Sequence, residues 1–249
     1  MKREESSPVK MINIHKGFGG VYALKGVDFL VGPNETVGLI GDNGAGKSTL
    51  IKILSGVYPP DEGKIYLEGK EVRFSSPKDA IRLGIETIYQ DIAVVNQLSI
   101  MRNIFIGREP TKHYLGLIRL LDIGRMAKES MKALAGVDLR LRSPAVPVED
   151  LSGGERQGVA IARAMYFKTK ILILDEPTNN LSVKESQKVL QFVEGLKSQG
   201  ISSVFITHNL YHVYPVADRL VILNRGKKIG DFKRKETSIE ELTKLMTLS

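Results

Sequence analysis

Residues 41–49 read GDNGAGKST and fit the pattern G-x-x-x-x-G-K-[ST]. Glycines at Gly41, Gly44 and Gly46, with Asp42, Asn43 and Ala45 between them, let backbone N–H groups turn toward an anion. A helix starting near Ser48 points its positive end at the same place. Lys47 supplies a cation for the outer phosphates of a nucleotide, Ser48 a hydroxyl for Mg²⁺, and Thr49 the next polar side chain. Residues 170–176, KILILDE, form an apolar run ending in two acids. Beside a phosphate loop, Asp175 can hold Mg²⁺ and Glu176 can orient and deprotonate an attacking water. Taken alone, the same acids read as a dipole-favoured helix cap. A second glycine motif, LSGGERQ, spans 151–157. Ser152 and Glu155 make a capping box there, and Gly153 and Gly154 leave the first helical N–H groups uncovered. That is either a well-capped helix or a second anion site. His208, after the run SSVFIT, reads alone as a structural histidine.

These residues need elements to hold them. Thr36–Ile40 is a compact apolar run leading into the glycine loop, and Leu50, Ile51, Ile53 and Leu54 give the helix after it, with Gly56 as its C-cap. Val27, Phe29 and Val31 alternate with Asp28 and Leu30 as a strand. Residues 65–67 and 72–74 flank a turn at 68–70 and read as a hairpin. A short helix over 77–83 closes at Gly84, and a strand follows over 85–89. Residues 91–170 read as mostly helical, with Asp122 capping a helix through Leu134 and SPAVP (143–147) as a break. Beyond them come a strand at 170–174, a helix from Ser182 to about Leu196 opened by Ser182 and Glu185, a strand at 203–207, a helix at 209–217 and a strand at 219–223. Ser238 and Glu241 open a last short helix. Strands alternating with helices predict an α/β fold with a largely parallel sheet and a helical insertion.

Composition bounds the rest. The 249 residues are 42% hydrophobic and 26% charged, ordinary globular values that argue against disorder. A net charge of +8 reads as a solvated basic surface or as preference for a polyanion, whether nucleotide, nucleic acid or an anionic membrane face. With no cysteine, disulfides and thiolate metal sites are excluded. The start, MKREESSPVK, lacks the apolar run of a signal peptide, and no stretch approaches the roughly 18 apolar residues of a membrane span. A membrane role is therefore expected to be peripheral.

The combination of GDNGAGKST, LSGGERQ and ILILDEPT resembles the ABC ATPases, the nucleotide-binding domains of ATP-binding-cassette transporters. The resemblance covers essentially the whole chain. It implies one domain over 1–249: a P-loop NTPase (RecA-like) core with an antiparallel β subdomain over about 8–90 and 165–235, a helical subdomain over about 91–165, and a C-terminal helix over about 238–247. It implies ATP and Mg²⁺ as ligands, with the metal on Ser48, Gln90 and Asp175. Gln90, at the end of IETIYQ, matches the family's Q-loop glutamine. His208 matches the switch histidine, which contacts the γ-phosphate and the catalytic Glu176. Phe18, in HKGFGG, falls where the family stacks an aromatic on adenine; a core role for Phe18, or Tyr22 as the stacking ring, stays open. In the family the signature completes the ATP site of a second subunit, head to tail. Ser152, Gly153 and Gly154 would thus serve a partner's γ-phosphate. Two positions depart from the pattern: Glu155 stands where the signature usually has Gln, and residues 179–182 read NNLS where the family often has SALD.

Segments such as LSIMRNIFIGRE look like those of bacterial monosaccharide importers of the ribose, xylose and fructose kind. That resemblance implies a homodimer with two competent sites on the cytoplasmic face of the membrane. A separate integral membrane permease would dock on 91–150, and a sugar-binding protein would belong to the same system. A soluble ABC ATPase acting on ribosomes or nucleic acid is the alternative. It usually carries two cassettes or a long coiled-coil insertion, neither present, so no nucleic acid partner is expected.

Overall fold

The computed structural model describes residues 7–89, 94–114, 118–137, 139–167, 169–179 and 181–247. The chain divides into two compact units, one of residues 1–90, 169–180 and 187–249, the other of 91–168 and 181–186.

The first unit holds two sheets. An antiparallel one contains β1 (Val9–Phe18), β2 (Val21–Val31), β4 (Glu62–Leu67) and β5 (Lys70–Val72) in the order β2-β1-β4-β5. Its β4–β5 connection is a two-residue turn at Glu68 and Gly69, both at positive φ (48° and 78°), the primed geometry that matches the twist of the strands. The other sheet is built from β3 (Thr36–Ile40), β6 (Ile85–Ile88), β9 (Ile171–Asp175), β10 (Ser202–Thr207), β11 (Arg219–Asn224) and β12 (Lys227–Lys233). Its order is β12-β11-β3-β10-β9-β6, parallel throughout except for β12 at one edge. Every residue of β3 and β10 is buried, which is why both read as unbroken runs with no alternation. Helices α1 (Lys47–Leu54), α2 (Pro77–Arg82), α7 (Leu210–Val216) and α8 (Ile239–Thr247) belong to the unit, as does the greater part of α6 (Val183–Ser198). One core joins both sheets through Met11, Phe29, Leu39, Leu50, Ile173 and Val204.

Register sets up the chemistry. Thr207 lies opposite Ile40, and Ile206 opposite Asp175. The carboxyl ends of β3, β10 and β9 therefore fall in one row, the edge where open parallel sheets bind ligands.

The second unit contains α3 (Ile100–Phe105), α4 (Ile123–Ala135) and α5 (Gly153–Tyr166), packed through Ile104, Phe105, Met126, Leu134, Val159 and Ala162. Phe105, Tyr166 and Phe167 meet edge to face at 4.9–6.0 Å, within the range for favourable aromatic pairs. Asn103, fully buried, accepts from Val95 N at 2.7 Å and donates to the carbonyls of Val95, Leu98 and Ser99, which pins the entry to α3. Asp122 caps α4 as its sequence implies, accepting from Arg125 N at 3.0 Å. The expectation of a mostly helical 91–170 needs one correction. Strands β7 (Thr111–Tyr114) and β8 (Ile118–Leu121) form an antiparallel hairpin inside it. All eight strand residues are exposed, so no burial pattern was there to read. Helix α6 (Val183–Ser198) starts from the expected Ser182–Glu185 box.

One polar anchor in the first unit centres on a buried carboxylate, Glu35. The guanidinium of Arg219 on β11 donates to both Glu35 oxygens (3.0 and 3.2 Å), to Asp231 on β12 (2.7 Å) and to the Leu30 carbonyl at the end of β2. Glu35 in turn accepts from Gly32 N at 2.6 Å. These acidic partners hold the guanidinium above its ordinary value despite the opposing effect of burial. Arg219→Met removes the cation but leaves a buried carboxylate, so a loss of about 3–5 kcal/mol is expected in urea unfolding. A loss below about 1 kcal/mol would show the network to be a solvated surface pair.

Candidate active site

The loop 41–46 leaves β3 and enters α1 through three glycines at positive φ: Gly41 (151°), Gly44 (82°) and Gly46 (104°). A Cβ on Gly41 would lie 2.2 Å from the Leu223 carbonyl oxygen, and one on Gly46 2.7 Å from that of Ala23. At those two positions only glycine fits, by backbone angle and by space. The loop is also stitched from outside: Gly226 N donates to Ala45 O at 3.0 Å and Lys25 N to Gly226 O at 2.8 Å. Above it lies an open cleft of about 520 Å³, lined by residues 42–49, Tyr22, Ala23, Lys25 and Arg225 among others. Phe18, the last residue of β1, is 43% exposed, with its ring edge-on to Tyr58 at 5.3 Å and the Lys16 ammonium 5.7 Å from its centroid.

Lys47 is buried beneath this loop. Its ammonium donates to Gly41 O at 2.6 Å and Asp42 O at 3.0 Å, both within the loop it serves. Burial pushes the ammonium below its ordinary value, against the pull of Glu176, Asp175 and Asp42. A desolvated cation held by two carbonyls has a strong unmet preference for an anion.

Asp175 ends β9. Burial and then the neighbouring Glu176 push its carboxyl up, while Lys47 and Lys52 pull it down. No hydrogen bond or ion pair satisfies its side chain among the described residues, and Ser48 keeps an exposed side chain. A desolvated carboxylate with no hydrogen-bond donor among the described residues fits a hard divalent cation. Among the described residues no three His, Cys, Asp or Glu cluster to hold a metal alone. A cation here would thus draw on Ser48 and on ligand oxygens as well, the way Mg²⁺ binds with nucleotides. Gln90, the third expected metal ligand, lies outside the described residues.

Glu176 takes a left-handed backbone (φ 49°), uncommon for a residue with a side chain, fixed by its own N–H donating to Ile206 O at 2.9 Å. Its carboxylate accepts from Thr207 Oγ1 (2.9 Å), from His208 N (3.2 Å) and from His208 Nδ1 (2.7 Å). A carboxylate can only accept, so Nδ1 carries the hydrogen. The structure thus brings Glu176 and His208 together. Thr207 and Asn209 escaped the sequence reading: Asn209 N donates to Thr207 Oγ1 at 3.0 Å, and Asn209 Oδ1 caps α7 by accepting from Tyr211 N. His212, one turn along α7, pairs through Nδ1 with Thr178 Oγ1 at 2.8 Å. The hydroxyl residues flanking His208 and Pro177 were the available signal, but Thr207 belongs to no motif and Thr178 only closes the run ILILDEPT.

In the second unit the box at Ser152 forms as read: Ser152 Oγ accepts from Glu155 N at 3.3 Å and Glu155 Oε2 from Ser152 N at 2.8 Å. Glu155 therefore fills the reciprocal capping role that a glutamine would. Ser152 and Gly153 are exposed. Gly154 N donates to the Glu185 carboxylate at 3.1 Å, so the helix tip already holds one anionic group.

Comparison with known proteins places this geometry. A family model described as ABC transporter matches residues 24–179. The chain is 48% identical over 242 residues to the xylose/arabinose import ATP-binding protein XylG of Sulfolobus acidocaldarius, covering 97% of this chain and 94% of that protein. It is 43% identical over 235 residues to the fructose import ATP-binding protein FrcA of Rhizobium meliloti, covering 93% and 90%. Against the ribose import ATP-binding protein RbsA of Geobacillus kaustophilus, 41% identical, the chain spans only 47% of the relative. Among solved structures, a dimeric ATP-binding cassette in a post-hydrolysis state with ADP and Pi superposes with a TM-score of 0.76 at 25% identity, covering 92% of this chain and all of that one.

Lys47→Ala is expected to weaken ATP binding about 10- to 100-fold, since a charge-assisted contact to phosphate is lost. Calorimetric titration measures it, and unchanged affinity would refute the role given to the loop.

Proposed function

The chain belongs to the ABC transporter family, and from that premise we propose that it is the ATP-hydrolysing subunit of a sugar importer. It works as a head-to-tail pair of copies on the cytoplasmic face of a separate membrane permease, in a system that also has a sugar-binding protein. Sugar import is supported by the names of the xylose/arabinose and fructose relatives, which this chain covers nearly end to end. The pairing is supported by the dimeric state of the superposed cassette. No helix among the described residues is long and apolar enough to cross a membrane.

The observation that carries hydrolysis is the Glu176 carboxylate, held by three donors at the end of β10, in the row of strand ends that carries the phosphate loop. The N–H groups of Gly41–Thr49 and the Lys47 ammonium bind the phosphates of ATP. Ser48, Asp175 and Gln90 hold Mg²⁺, which when bound neutralises charge on the phosphate oxygens. Phe18 stacks on the adenine, and Tyr22 closes the cleft beside it. Glu176 aligns the attacking water and takes its proton, and His208, anchored through Nδ1, keeps Nε2 for the γ-phosphate. Ser152, Gly153 and Gly154 offer hydroxyl and N–H groups to the ATP of the facing copy, so the site is complete only when two copies close. Catalysis then rests on positioning and charge stabilisation, and nucleotide drives closure through its higher affinity for the closed pair.

Glu176→Gln keeps the shape of the side chain and removes the base. Turnover is expected to fall about 100- to 10,000-fold while ATP still binds, leaving an ATP-bound dimer in gel filtration. A variant that hydrolyses normally, or stays monomeric with ATP, would contradict the proposal.

A further inference from the structure

We infer that Thr207 is a positioning residue for hydrolysis: its hydroxyl fixes the oxygen of Glu176 that His208 does not hold. The inference rests on the proposed role of Glu176 as the base, and it concerns a residue outside every motif of the site.

The placement of each hydrogen decides the role. Asn209 N–H donates to Thr207 Oγ1 at 3.0 Å, which uses a lone pair of that oxygen. Glu176 Oε2 lies 2.9 Å away on the other side and can only accept while ionised. The Thr207 hydrogen is therefore committed to Glu176. Both His208 contacts, from N and Nδ1, go to the other oxygen, Oε1. Thr207 alone among these donors acts on Oε2, so without it the carboxyl plane is free to rotate about its last bond.

Thr207 is also rigid. It is 1% exposed, it closes a wholly buried strand, and its pairing with Ile40 ties it to the strand that leads into the phosphate loop. A β-branched side chain in such a strand has little rotamer freedom. Its hydroxyl thus acts from a fixed frame, whereas His208 is exposed and lies beyond the strand end. His208 also serves the phosphate in the proposed mechanism, whereas Thr207 contacts only Glu176 and its own turn. Base catalysis needs the carboxylate within hydrogen-bond reach of the water and correctly directed, and small errors in aim are costly.

The test compares Thr207→Val, Thr207→Ser and Glu176→Gln in full-length protein, with steady-state ATPase kinetics and direct ATP titration. Valine keeps the shape and removes the hydroxyl; kcat is expected to fall about 10- to 100-fold with KM and ATP affinity within about twofold. Serine keeps the hydroxyl and is expected to restore kcat to within about threefold. If valine at this position prevents folding, Thr207→Ala carries the same expectations. A Thr207→Val kcat within twofold of the parent, beside an inactive Glu176→Gln, overturns this inference alone. So does a serine variant as slow as the valine one. An active Glu176→Gln overturns the role of the base and this inference with it.

Discussion

A lysine ammonium buried beside two carboxylates, at the carboxyl edge of a parallel sheet, is the constraint on which the first unit depends. Lys47 and Asp175 each carry a charge that burial disfavours. The arrangement is tolerable because the glycine loop supplies carbonyls to Lys47, and Thr207 and His208 supply donors to Glu176. Nucleotide phosphates bound at Lys47 would relieve a desolvation already incurred in folding. Phosphoryl transfer asks little covalent chemistry of the protein, so preorganised charge of this kind is its main route to acceleration.

The surrounding structure explains how such strain is held. Buried strands β3, β9 and β10 fix three chain ends in one row, and the Arg219 network ties β11 and β12 to the corner that opens β3. Close backbone approaches at Gly41 and Gly46 and the left-handed turn at Glu176 persist only within that frame. The second unit has a simpler design. Its helices pack on one apolar cluster, and one capped helix start leaves Ser152 and Gly153 exposed.

Much of this was legible from residues alone where the signal is local. The phosphate loop, the capping boxes at Ser152 and Ser182 and the Asp122 cap depend on neighbours three or four residues apart, so sequence carries them. The buried parallel strands were legible because burial on both faces leaves continuous apolar runs. The hairpin at 111–121 was not, because its strand residues all face solvent and impose no period. Edge strand β12 was missed for a similar reason: it is rich in lysine, with no residue fully buried. Thr207 escaped because its value lies in a contact with Glu176, thirty-one residues distant, that only the register of β10 against β9 creates, and Asn209 because its value lies in holding Thr207.

The central claim is that each ATP site is shared, with the phosphate loop of one copy facing the Ser152 helix tip of the other. Mixing two inactive variants tests it most directly. Lys47→Ala spoils the loop and Ser152→Arg spoils the helix tip, so each homodimer lacks both sites. A mixed dimer of head-to-tail symmetry contains one site with both defects and one with neither. An equal mixture is expected to recover ATPase activity, up to about a quarter of the parent if the sites act independently. A mixture no more active than either variant alone would mean that loop and helix tip serve one site within a single chain.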